Sequence, residues 1–381
     1  MTTAPHMPVD HPGSFIEEEL EARGWTKADL AYALGMSPQQ LSPILNGAQS
    51  ISPAMARSFG DAFDMPADFF ANLQKMYDLS RAPNADPGVR KRAMWLSTFP
   101  VREMITRGWI EDSDPSLLDL QMLRFFGEDR IEDIPFVGNG QMFPHAFRTQ
   151  TYDEVTPAQY AWIYRVKRVA AQISAPAYSE ENLRAALPDV RSHMLSKEDF
   201  GDIPYILKDC GVRLVYVEAL RGSKIDGVCA WSDAGPIIGM TLRQNRADNF
   251  CFVLRHEIEH VLRGDGRAET FVPPDEVTAD FLADTNLPEE ERLANEAAAD
   301  FLVPRLRMES FIARKAPYIS EKDVLALAAS VQMNPSVVVG QIQFRMQRYN
   351  WLRKYLKGAN DHIVGGWKYT DGWSNPLPTG L

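Results

Sequence analysis

Apolar residues recur at helical spacing through most of this chain, and the pattern changes to alternation in one short stretch. Near the start, Phe15, Ile16, Leu20 and Ala22 mark a first helix from Ser14 to Gly24. Thr26 is placed to cap a second, which carries Leu30, Ala31 and Leu34. Gly35-Met36-Ser37 makes a tight turn, and Ser37 caps a third helix running through Leu41, Ile44 and Leu45 to Asn46-Gly47. Ser52-Pro53 opens a fourth, with proline at a favourable first position, and a fifth lies around Pro66 to Leu79. Residues 1–12 hold three prolines and little pattern, so they read as a loose arm. The Pro-rich stretch Arg81 to Gly88 reads as a linker. It runs into Arg90-Lys91-Arg92, a basic cluster open to phosphate contacts or to plain solvation on a helix face.

Four further helices are expected over Val101–Arg107, Pro115–Phe126, Pro157–Ile173 and Ser179–Ser196. A loop is expected over Pro135–Gln150, containing Met142-Phe143-Pro144-His145. After Cys210 the pattern alternates. Val212–Val217, Gly227–Trp231 and Pro236–Leu242 read as short strands, the last two around the turn Ser232-Asp233-Ala234-Gly235. Phe250–Gly264 returns to helix, with Val253, Leu254, Val261 and Leu262 apolar, Asp248 and Asn249 available as caps, and Gly264 placed to end it. Pro288–Pro304, Ser320–Val331 and Pro335–Lys357 complete the helical set. The tail from His362 to Leu381 carries Trp367, Tyr369 and Trp373 among glycines and prolines, and is expected to be irregular and to pack on the preceding domain. The expected class is mainly α with a small antiparallel sheet (α+β). The expected divisions are 1–80, 81–200, 201–360 and 361–381.

Composition narrows the setting. With 381 residues the chain suits two or three domains, and its 45% hydrophobic content is ordinary for a globular core. No apolar run is long enough to span a membrane, and the first residues lack a charged-then-apolar signal pattern. The three cysteines, Cys210, Cys229 and Cys251, have no metal-type spacing and suit free thiols in a cytoplasmic protein. A net charge of −11 argues against general affinity for nucleic acid but leaves room for a local DNA-reading element.

Two short helices joined by a Gly-containing turn inside five helices form a helix-turn-helix pattern. Trp25–Gly47 resembles the XRE family. The wider stretch from His11-Pro12-Gly13 to Tyr77-Asp78-Leu79, including Ile44-Leu45-Asn46-Gly47, looks like its HigA antitoxin branch. The resemblance implies that the third helix enters the major groove and presents Ser37, Gln39, Gln40, Ser42 and Asn46 to DNA. One departure stands out. Up to Asp78 there are four basic and ten acidic residues, a net −6, and Pro43 and Ala48-Gln49 stand where the family usually has Arg or Lys. An interaction module without DNA affinity is the alternative reading.

The densest chemistry is His256-Glu257-Ile258-Glu259-His260. Two neutral imidazoles one helical turn apart can hold one Zn²⁺, and Glu257 between them can serve as general base. Such a site needs a third protein ligand. Glu291 and Glu296 on the downstream helix both remain open from the residues alone, with Asn295 placed to orient a ligating carboxylate. Phe250–Pro304 resembles the ImmA/IrrE metallopeptidases, whose HExxH is followed by E-x-x-A-N-x-F-A-x-x-L-L-x-P. Here the second element reads from Glu291 through Ala294-Asn295 to Pro304, with Ala297 for the phenylalanine and Phe301 at a leucine position. That resemblance implies a zincin-like peptidase domain, places the third ligand on Glu291, and implies a regulatory protein substrate such as a repressor or toxin partner. Phe99–Arg102, Arg107–Ile110 and Asn334–Gly340 are similar to segments of long HigA-like regulators carrying this domain. Glu259 stands where the family usually has a small residue, on the opposite flank of the histidine pair from Glu257. The expected whole is a cytoplasmic DNA-binding regulator with a zinc peptidase domain, partnered by operator DNA, a protein substrate or toxin, and a second copy of itself. The alternative is an antitoxin-like repressor whose second domain senses metal or a partner without proteolysis.

Overall fold

The computed structural model describes residues 9–112, 114–137, 155–267, 288–356 and 358–373. Most of the loop expected over 135–150, the start of the N-terminal arm and the end of the tail lie outside the described residues. The chain divides into two compact units, Met1–Asp86 and Pro87–Leu381.

The first unit is five helices: α1 (Pro12–Arg23), α2 (Lys27–Ala33), α3 (Pro38–Leu45), α4 (Pro53–Phe63) and α5 (Ala67–Arg81). Their apolar stripes meet in one core that includes Ile16, Leu20, Leu30, Leu41, Ile44, Phe59, Phe63 and Phe70. The rings of Phe59, Phe63 and Phe70 lie 5.7 to 6.3 Å apart, and each such buried ring stabilises the fold by about 1.5–3 kcal/mol. Helix α1 begins before the expected Ser14. His11 is its N-cap, its Nδ1 accepting the Gly13 N–H at 2.9 Å, a role seldom filled by an imidazole and so not legible from preference alone.

The second unit opens with α6 (Pro87–Thr98), a helix over residues expected to be partly linker. Trp95 on it is fully buried, and Lys91 pairs with Asp119 at 2.6 Å, so that lysine of the basic cluster is engaged. Then follow α7 (Val101–Thr106), α8 (Leu118–Phe126), α9 (Pro157–Ala170), α10 (Glu180–His193) and α11 (Ile203–Asp209). Next come β1 (Arg213–Val217), β2 (Gly227–Ser232) and β3 (Gly235–Met240), and the long α12 (Ala247–Arg263). After it stand α13 (Glu289–Leu302), α14 (Arg305–Lys315), α15 (Glu321–Val331), α16 (Pro335–Met346), α17 (Asn360–Val364) and β4 (Thr370–Asp371).

The fold is α+β and mainly α, as expected, but its sheet is mixed. The β2–β3 hairpin is antiparallel, while β1 pairs in parallel with both β3 and β4, giving the order β2-β3-β1-β4. The core does not divide at residue 200. One cluster runs from Trp95 through Trp162 and Tyr216 to Trp367, and Trp162 Nε1 donates to the Val217 carbonyl at 2.9 Å. Helix α16 stops at Met346 rather than reaching Lys357, because Gln347 turns left-handed at φ 54°. Among the described residues, no single helix is long and apolar enough to cross a membrane.

The tail is not irregular throughout. Its strand β4 joins the sheet edge, and the fully buried Asp371 accepts from Trp109 Nε1 at 3.0 Å and pairs with the fully buried Arg165. Replacing Asp371 by Ala withdraws that acceptor from both partners. We expect a loss of about 3–5 kcal/mol, read as a lower urea midpoint for the transition of the second unit.

Candidate functional site

Helix α3 of the first unit presents Gln39, Gln40, Ser42 and Asn46 to solvent. Four of the five expected DNA contacts already hydrogen-bond within the chain. Ser37 Oγ accepts from the Gln40 N–H at 3.3 Å, and Gln40 Oε1 accepts from the Ser37 N–H at 2.9 Å, closing a capping box. Asn46 Nδ2 donates to Ser42 Oγ at 3.3 Å. Gln39 is exposed and is not a member of that capping box. Two of the unit's few bases are also engaged, Arg23 with Glu19 and Lys27 with Glu17.

In the second unit, α12 carries His256 and His260 on one face, and α13 brings Glu291 against both. All three are buried, and one ligand atom from each lies within 4.8 Å of the others. The two Nε2 atoms are 3.0 Å apart. Glu291 reaches His256 Nε2 through Oε2 at 3.1 Å and His260 Nε2 through Oε1 at 3.3 Å. Ligand atoms of a tetrahedral zinc, at about 2.0–2.1 Å from the ion, stand about 3.3–3.4 Å from one another, so these three side chains could hold such an ion.

The far side of each ring is also held. His256 Nδ1 bonds Asn295 Oδ1 at 3.0 Å, and His260 Nδ1 bonds Asp265 Oδ2 at 2.9 Å. A carboxylate only accepts, so the protonated His260 ring donates on both sides, from Nδ1 to Asp265 and from Nε2 toward Glu291, and an ion would take the place of the Nε2 hydrogen. Asn295 therefore orients a histidine rather than the carboxylate expected from its spacing. Asp265 had no periodic signal. It follows Gly264, which ends α12 at φ 74° and folds the chain back so that the Asp265 N–H meets the His260 carbonyl at 3.0 Å. Trp231 of β2 steadies the turn by donating Nε1 to the Asp265 carbonyl at 2.8 Å. An acid directly after a helix-ending glycine is the sequence sign that marks this partner.

Burial and hydrogen bonding pull the groups of this cluster in different directions. Burial holds the His256 imidazole below its ordinary value. Burial acts the same way on His260, but the hydrogen bonds to Asp265 and Glu291 outweigh it and carry that ring up to about 10. Burial pushes the Glu257 carboxyl up to about 8. That carboxylate lies against Gly227 of β2, where a Cβ would overlap Glu257 Oε1.

The remaining acids separate cleanly. Glu296 is exposed and pairs with Arg292 at 2.8 Å, away from the histidines. Glu259 pairs with the buried Arg255 one turn before it, at 2.7 Å. The helix start also differs from expectation. Arg246 is the N-cap, and Asp248 lies inside α12, bound back to Arg246 at 2.6 Å.

Comparison with known proteins covers the first unit. Residues 15–73 match a family described as a helix-turn-helix domain. The chain is 38% identical over 72 residues to "Virulence-associated protein A'" of Dichelobacter nodosus, an alignment that covers 19% of this chain and 63% of that protein. No solved structure matches the chain. The first unit is an XRE-like helix-turn-helix domain.

Asp265→Ala removes the hold on His260 without touching a ligand atom. We expect zinc affinity to fall about 10–100-fold, measured by competition with a chromophoric chelator.

Proposed function

We propose that this chain is a cytoplasmic DNA-binding regulator whose second unit is a zinc-dependent peptidase acting on a regulatory protein. One observation carries the enzymatic half: His256, His260 and Glu291 converge at 3.0 to 3.3 Å with both Nδ1 atoms engaged elsewhere. A bound zinc ion would supply Lewis acidity toward a peptide carbonyl and make water more acidic. His256, His260 and Glu291 would hold it. Glu257 would take the proton from the attacking water and return it to the leaving amine. Burial favours the protonated form of this carboxyl, which helps it keep the proton it takes until the amine leaves. The gap left by Gly227 sets where that carboxylate rests. A repressor or toxin partner as substrate follows the likeness to ImmA/IrrE proteins.

Glu257→Gln keeps the shape and removes the base. Cleavage of a candidate partner should fall about 10²–10⁴-fold while zinc content stays the same. Cleavage that persists in the variant sinks the peptidase reading. DNA binding and repression that survive with no cleavage by the unchanged protein favour the metal-sensing repressor instead.

The DNA-reading half is supported by the helix-turn-helix match and by the exposed amide of Gln39. With Arg23 and Lys27 engaged internally, base contacts from neutral side chains would carry much of the affinity. Gln39→Ala should cost about 1–3 kcal/mol on the preferred site and leave the salt dependence unchanged, as read by gel shift at several salt concentrations. Failure of the unchanged protein to prefer any sequence in its own upstream DNA would favour an interaction module.

A further inference from the structure

Glu259 is the residue of the histidine helix that the proposed chemistry does not use, and its partner is unusual. Arg255 precedes His256 and is buried, with its side chain 7% exposed. Its Nη2 donates to Glu259 Oε2 at 2.7 Å, and its Nε and Nη1 have no hydrogen-bond partner among the described residues. The guanidinium lies over the ring of Phe301, 5.0 Å from its centroid. Phe301 belongs to α13, the helix that supplies Glu291. On its other contact, the Phe301 ring meets Arg191 of α10 at 6.0 Å, and Arg191 Nε donates to the Phe301 carbonyl at 3.0 Å. Arg191 also donates to the carbonyls of Leu302, Val331 and Gln332, at the ends of α13 and α15.

From this arrangement we infer that Arg255, held by Glu259, is a positioning residue for the metal centre, acting through Phe301 on the tilt of α13. The inference rests on the metal-site reading given above. Helix α13 touches α12 through polar contacts near its start, where Asn295 bonds His256, and through the Arg255–Phe301 stack near its end. At 1.5 Å per residue, Phe301 lies about 9 Å beyond Asn295 and Glu291 about 6 Å before it. A shift of about 1 Å at Phe301 would then move Glu291 by about 0.7 Å the opposite way. Metal–ligand distances tolerate only about 0.2 Å. Ala298, between the two contacts, is small and fully buried. Glu259 keeps the guanidinium turned toward the ring. Without that carboxylate a buried cation has one face on an aromatic ring and no anion beside it.

The test uses the full chain with Arg255→Met, Glu259→Gln, the two combined, and Phe301→Leu. Zinc affinity is read by chelator competition, geometry by the visible absorption of the Co²⁺ form, and folding by thermal unfolding of the metal-free protein. We expect each single change to weaken zinc about 10-fold and to alter the Co²⁺ spectrum. The double change should be no worse than one alone, since the two residues act as a unit. Glu259→Gln keeps the side chain's shape and can still hydrogen-bond Arg255, which keeps the experiment informative should Arg255→Met fail to fold. Unchanged affinity and spectrum in Glu259→Gln and Phe301→Leu overturn the inference, as does a lowered unfolding temperature with zinc affinity intact. An unchanged protein that takes up neither ion overturns the metal centre itself, a result distinct from both.

Discussion

Two imidazoles and a carboxylate buried within hydrogen-bond reach of one another set the demand that the second unit has to meet. Such groups are costly away from water unless each polar atom has a partner. The fold supplies those partners from separate places: Asn295 from α13, Asp265 from the turn after α12, and Trp231 from β2 behind it. With the outer nitrogens occupied, the inner ones face Glu291. The same three side chains could hold a divalent ion, which would then partner each of them at once.

The surrounding architecture keeps α12 in place. The helix packs on the β2–β3 hairpin, which in turn is held by β1. The close approach of β2 at Gly227 brings the Glu257 carboxylate into an apolar setting and raises its proton affinity. On the far edge of the sheet, β4 is fastened by the pairing of Asp371 with Arg165 and Trp109. A residue ten from the end of the chain thereby ties the last strand to α9 and to the loop after α7. This tie explains why the aromatic tail belongs to the core up to Trp373.

The first unit solves a smaller problem with local means. Four of its five helices are started by side-chain caps, at His11, Thr26, Ser37 and Ser52, and the unit closes on a core rich in phenylalanine. Capping and reading compete for the same residues at the start of α3. Ser37 and Gln40 satisfy helix-end groups, which leaves Gln39 as the amide best placed to face outward. An acidic unit whose bases are partly engaged draws little from phosphate attraction, so a neutral surface has to discriminate by shape and hydrogen bonding.

How much of this was legible divides along the range of the interactions. The chain by itself determined the five N-terminal helices, the α12 helix with its histidine pair, the β2–β3 hairpin and the α13 helix, because periodicity and caps act within a turn or two. It left Glu291 and Glu296 unresolved by phase, and only the packing of α13 on α12 separates a buried residue from an exposed one. It could not supply the Arg165–Asp371 pair, whose members stand 206 residues apart, or the parallel pairing of β1 with β3 and β4. It marked Glu259 as out of place without showing why, since the answer lies in a buried arginine one turn back and a ring on another helix. Local spacing fixes which face a residue occupies. Which partner meets it there is decided by packing between elements, and a single sequence does not record that choice.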